Sequence, residues 1–120
     1  MAVSSVSQPF GIEVDHVGES VIFRVTGELV AQHEPALDEA VSEAVSAGAR
    51  DLFVDLRNVT FIDSLGVRAL IRGQLRARVG QYRFAVMPGR GQVFRVVKTM
   101  GLDRVLQVLD EDAGASLSPG

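Results

Sequence analysis

A chain of 120 residues, 47% apolar and 22% charged, suffices for one domain with a real core and has the proportions of an ordinary folded protein. It contains no cysteine, which excludes disulfides, thiolate catalysis and thiolate metal sites. The net charge of -3 hides an asymmetry: residues 1 to 63 sum to -8, residues 64 to 104 to +8, and the remainder to -3. A basic half fits a nucleic-acid, lipid or acidic protein partner, or neutralisation by the acidic half within the fold.

Residues 1–9 read as a flexible leader without the basic start and apolar core of a signal peptide. No apolar run approaches the roughly 20 residues of a membrane helix, so a cytoplasmic domain is expected. Ile12, Val14 and His16 alternate with polar residues, and Val21, Phe23 and Val25 continue the pattern to Thr26, giving a hairpin across Gly18-Glu19. Gly27 is expected to end the second strand, with a loop from Glu28 to Glu34. Pro35 suits the first turn of a helix, along which Leu37, Ala40, Val41, Ala44 and Val45 form one face until Gly48. Leu52 to Leu56 reads as a buried central strand, and Asn58 to Ile62 as a linker or short second run.

A second helix opens at Ser64, with Val67, Leu70, Ile71, Gln74 and Leu75 on one face and Arg68, Arg72 and Arg76 four apart beside it. Tyr82 to Met87 is a strand stopped by Pro88-Gly89. Val93, Val96, Val97 and Met100 mark a third helix that stops at Gly101, with Leu102 packing back. Val105 to Leu109 is expected as a last short strand, and residues 111–120 as a disordered tail. Strands separated by helices imply a mainly parallel sheet with an antiparallel hairpin at its start, an α/β domain over residues 10–110.

Catalytic motifs are missing. His16 and His33 do not stand in a metal-ligand spacing, so no metal is expected. Ser64 lies between Ile62-Asp63 and Leu65-Gly66 rather than in G-x-S-x-G. Pro88-Gly89-Arg90-Gly91 lacks the Lys-Ser/Thr pair of a phosphate loop. No catalytic constellation argues for an enzyme, and few aromatics are available for stacking on nucleic acid.

One segment carries a signal: Val54-Asp55-Leu56-Arg57-Asn58-Val59-Thr60-Phe61-Ile62-Asp63-Ser64-Leu65-Gly66-Val67. A buried strand leads through a tight connection into a helix beginning at Asp63-Ser64. Ser64 is either a helix N-cap or a hydroxyl exposed at the carboxyl end of a strand, where functional sites of α/β sheets gather. A phosphate there would be favoured by helix N–H groups and would add about -1.5 to -2 of charge beside Asp63.

The segment resembles the signature of the STAS domain family, the anti-sigma factor antagonists. The pattern strand-D-L-x-x-V-x-F-x-D-S-x-G-helix is matched by Asp55, Leu56, Val59, Phe61, Asp63, Ser64 and Gly66. Thr26-Gly27-Glu28-Leu29 and Met100-Gly101-Leu102-Asp103-Arg104 resemble two further family turns. The resemblance implies a mixed sheet flanked by helices. It also implies binding to an anti-sigma factor that is a serine kinase of the histidine-kinase-like ATPase type, which frees a sigma factor. Phosphorylation of Ser64 would break that complex and a serine phosphatase would reset it. ATP would sit on the partner, leaving this chain without a cofactor.

By the same resemblance, Asp63, Ser64, Leu65 and Gly66 form the docking knob with Glu28 and Leu29, and Arg68 and Arg72 either pair with partner acids or form a solvated helix face. Val30 stands where the family usually carries Asp, a residue that helps at the kinase interface. That departure keeps a second reading open: a STAS-type adaptor in stress signalling or phospholipid transport, working without phosphorylation. No nucleic-acid or membrane partner is expected.

Overall fold

The computed structural model describes residues 9–109. Residues 1–8 of the leader expected over 1–9, and the tail expected over 111–120, lie outside the described residues. The elements are β1 (Gly11–Val17), β2 (Ser20–Leu29), α1 (Glu34–Ser46), β3 (Asp51–Ile62), α2 (Ser64–Gly80), β4 (Arg83–Met87) and α3 (Gln92–Thr99), with short 3-10 turns at Ala31–His33 and Leu102–Arg104.

The four strands form one sheet in the order β1-β2-β3-β4. β1 and β2 pair antiparallel across the Gly18 turn, where φ is 63° and glycine is suited. β2, β3 and β4 are mutually parallel. Each strand in turn lies on the same side of its predecessor, so right-handed crossovers place α1 and α2 on one face of the sheet.

That face holds the main core. Val21, Phe23 and Val25 of β2, Leu52, Val54 and Leu56 of β3, and Phe84 and Val86 of β4 meet Leu37 and Val41 of α1, Val67 and Leu70 of α2, and Val93 and Val97 of α3. The two-residue alternation turns Ile22, Phe53, Ala85 and Met87 to the opposite face, where Val17 and Leu109 pack against them. Asp55 also faces away from the helices. It is 3% exposed, and Arg57 clasps it with a backbone N–H at 3.0 Å and guanidinium donors at 2.9 and 2.8 Å.

The structure corrects three of the expected boundaries. β2 does not stop at Gly27 but runs to Leu29, because β3 continues to offer it a parallel ladder through Glu28↔Phe61 and Leu29↔Ile62. Gly27, with φ 84°, absorbs a register shift inside the strand. For the same reason Asn58 to Ile62 is no linker but the end of one continuous β3. The strand expected at Val105 to Leu109 reduces to a single parallel bridge between Val86 and Val108, since the preceding turn at Leu102–Arg104 brings only that much chain to the edge of β4.

Candidate functional site

The carboxyl ends of β2 and β3 meet the start of α2. Asp63 leaves β3 in extended conformation (φ -103°, ψ -177°) and is the N-cap of α2. Its Oδ1 accepts from the N–H groups of Leu65 at 3.0 Å and Gly66 at 2.9 Å, donors that the first turn of a helix leaves without partners. Its Oδ2 accepts from Ala31 N–H at 3.4 Å, and its own N–H donates to the Leu29 carbonyl at 3.4 Å. One aspartate therefore fastens the β3–α2 turn to the loop after β2.

This arrangement decides which residue caps α2. Ser64 is the first helical residue and not the cap, which is Asp63. Its side chain is exposed, and among the described residues the hydroxyl has no hydrogen-bond partner. An exposed hydroxyl therefore stands at the N-terminus of a 17-residue helix, where the helix dipole favours negative charge.

The other sequence-derived site residues divide. Glu28 and Arg68 are exposed and Leu65 is half-buried. Leu29 is 0% exposed, so its side chain belongs to the core and cannot touch a partner; its contribution is the carbonyl that receives Asp63. Gly66 is also buried: a Cβ there would lie 2.2 Å from the Leu29 carbonyl oxygen and 2.7 Å from Ile62 Cγ1. Its small size lets α2 sit against the end of β2. Arg72 turns away from the site toward α1, where it pairs with Glu34 and Asp38, with Arg76 on Asp38 beside it. Arg72, expected either to meet a partner's acids or to lie on a solvated face, is thus already paired within the fold. Those pairs and Asp51–Arg83 join the acidic and basic halves of the sequence within the fold.

Val30 caps the Ala31–His33 turn with its backbone only. Its carbonyl accepts from His33 N–H at 2.9 Å and Glu34 N–H at 3.1 Å, with no side-chain bond. His33 Nδ1–H donates to the Glu28 carbonyl at 2.8 Å and its ring stacks on Phe10 with centroids 4.0 Å apart, bracing the loop. Two residues beside the site were not among the expected site residues, although Phe61 belongs to the matched signature. Phe61, three positions before Ser64, is 43% exposed. Gln92, at the start of α3, bonds both backbone groups of Ile62. Among the described residues no His, Asp and Glu side chains gather as a metal-binding group, and no helix is long and apolar enough to cross a membrane.

With this geometry in view, the family model described as "Mlab, STAS domain" matches residues 12–109. The chain belongs to the STAS domain family. The anti-sigma-F factor antagonist RsfB of Mycobacterium tuberculosis is 31% identical over 95 residues, covering 78% of this chain and 75% of that protein. An anti-sigma factor antagonist from Mycobacterium paratuberculosis superposes with a TM-score of 0.74 at 25% identity, covering 86% of this chain and 89% of the other. The unphosphorylated form of SpoIIAA, an anti-sigma factor antagonist, superposes with a TM-score of 0.71 at 20% identity, covering 88% and 93% of the two chains, a likeness of fold. The STAS fold expected from the signature is therefore present, with Ser64 at the strand-to-helix junction.

Proposed function

We propose that this STAS domain is an anti-sigma factor antagonist that binds an anti-sigma factor serine kinase through the surface around Ser64, and that phosphorylation of Ser64 ends the complex. The observation that carries the reading is the exposed Ser64 hydroxyl at the first position of α2, left unengaged because Asp63 does the capping. The curated RsfB relative supports the class of partner. Glu28 near the end of β2 and Leu65 and Arg68 on the first turns of α2 serve as docking groups, with Asp63 fixing the turn that bears Ser64. A phosphate at Ser64 adds negative charge next to Asp63 at a surface that otherwise seats a partner. The chain itself supplies no catalysis, and a serine phosphatase restores the free hydroxyl. A cytoplasmic location goes with this role.

The test is capture from host lysate on immobilised wild type and Ser64→Glu, followed by mass spectrometry. The reading expects an ATP-binding anti-sigma factor on wild type and its loss on Ser64→Glu. Capture of the same non-kinase protein by both would replace it with the adaptor reading. Val30 favours that second reading, since the loop offers no carboxylate at the position where the family usually supplies one.

A further inference from the structure

In a parallel ladder a residue sends its N–H and C=O to the same side, and successive residues alternate sides. At the end of β3, Asp63 N–H goes to Leu29 on the β2 side. The backbone groups of Ile62 therefore point to the β4 side. β4 stops at Met87, which lies opposite Asp55, so among the described residues no strand reaches Ile62 from there. Left alone, these groups would be a half-buried N–H and C=O without partners, next to a side chain that is 3% exposed.

Gln92 takes the place of the missing strand. Ile62 N–H donates to Gln92 Oε1 at 2.9 Å, and Gln92 Nε2–H donates to the Ile62 carbonyl at 3.3 Å, across 30 positions of sequence. A primary amide carries a donor and an acceptor side by side, as a peptide group does. Glutamate can only accept and lysine can only donate. The residue that makes this splice is the first of α3, whose place is fixed by the buried Val93 and Val97. The turn bearing Ser64 is thus held from two sides: by Leu29 and Ala31 through Asp63, and by α3 through Gln92.

We infer that Gln92 is a positioning residue for Ser64, fastening the end of β3 to α3 and so setting the direction in which Asp63 and Ser64 leave the sheet. The functional half of this inference rests on the reading of Ser64 as the modified residue. Its structural half does not.

The test uses the whole chain as wild type, Gln92→Met and Gln92→Glu. Amide exchange by NMR should speed up at Ile62 by roughly tenfold in Gln92→Met. In Gln92→Glu it should also speed up, because the carboxylate that accepts from Ile62 N–H sets its second oxygen against the Ile62 carbonyl oxygen. The Ser64 amide order parameter should fall from about 0.85 in wild type to below about 0.6 in Gln92→Met. Host-cell extract with ATP is then added and Ser64 phosphorylation is followed by intact mass; the initial rate should fall at least about fivefold in Gln92→Met. A residue that merely stabilises the fold would instead raise exchange throughout β3, β4 and α3 together. That pattern overturns the inference, as does an unchanged Ile62 rate or an unchanged Ser64 order parameter in Gln92→Met. If the extract fails to modify even wild type, the phosphorylation reading fails, and the exchange and order-parameter results still decide whether Gln92 positions Ser64.

Discussion

Replacing Gly66 by alanine tests whether the site is built on a close helix-to-strand approach. The added Cβ would lie 2.2 Å from the Leu29 carbonyl oxygen, an obstacle made of backbone that is itself held by Asp63 N–H. Relief requires α2 to withdraw from β2 by about an ångström, which loosens the core under Val67 and Leu70. Overpacking of this kind costs about 1–3 kcal/mol, and the rigid obstacle places it in the upper part of that range. Against this stands a gain of about 0.4–1 kcal/mol from a less flexible unfolded chain. The net expectation for Gly66→Ala is a loss of about 2 kcal/mol, read from urea unfolding followed by circular dichroism, with a fall in Tm of about 8–16 °C. Gly80→Ala is the control, since the Cβ there meets only the Tyr82 ring, a side chain near the surface that can turn aside. A Gly66→Ala protein as stable as wild type, within about 0.5 kcal/mol, would refute the close-approach argument.

Asp63→Ala should cost about 1–2 kcal/mol through loss of the α2 cap, whereas Ser64→Ala should change stability by less than about 0.5 kcal/mol in the same denaturation assay. Burial pushes the Asp55 carboxyl up, but the hydrogen bonds and charge of Arg57 outweigh it and hold the group below its ordinary value of 3.8. A depressed native pKa stabilises the fold above the unfolded value, and that contribution fades as pH falls through the native one. The stability gap between wild type and Asp55→Asn should therefore be largest near pH 7 and shrink below about pH 4, as urea midpoints measured across that range would record. Arg72→Ala should lower stability by no more than about 1 kcal/mol, because its pairs with Glu34 and Asp38 are partly exposed, and should leave capture of the partner unchanged.

The elements whose periodicity is local were legible in the sequence. The hairpin around Gly18, the apolar faces of α1 and α2, and the stop at Gly101, where φ is 65°, all follow from residues within one or two turns of each other. The extension of β2 past Gly27 was not, because it depends on pairing with Phe61 and Ile62 far along the chain. Burial of Leu29 follows from that extension and was hidden with it. Asp63 and Ser64 are both good caps, so their adjacency left the assignment open until the Asp63 Oδ1 contacts decided it. Arg72 and Glu34 are 38 positions apart, and only the packing of α1 beside α2 brings them together. The clamp of Gln92 on Ile62 is a side chain standing in for a strand, which no local pattern of hydrophobicity or turn residues reports.

The most direct test of the central claim is calorimetric titration of the captured anti-sigma factor with two forms of this chain, one unmodified and one bearing phosphate on Ser64 as verified by intact mass. Loss of a docking face to one added phosphate predicts binding at least about a hundredfold weaker for the phosphorylated form, some 2.7 kcal/mol. Equal affinity for the two forms would contradict the account, leaving Ser64 an exposed residue at the start of a helix and the domain an adaptor without a phosphoserine switch.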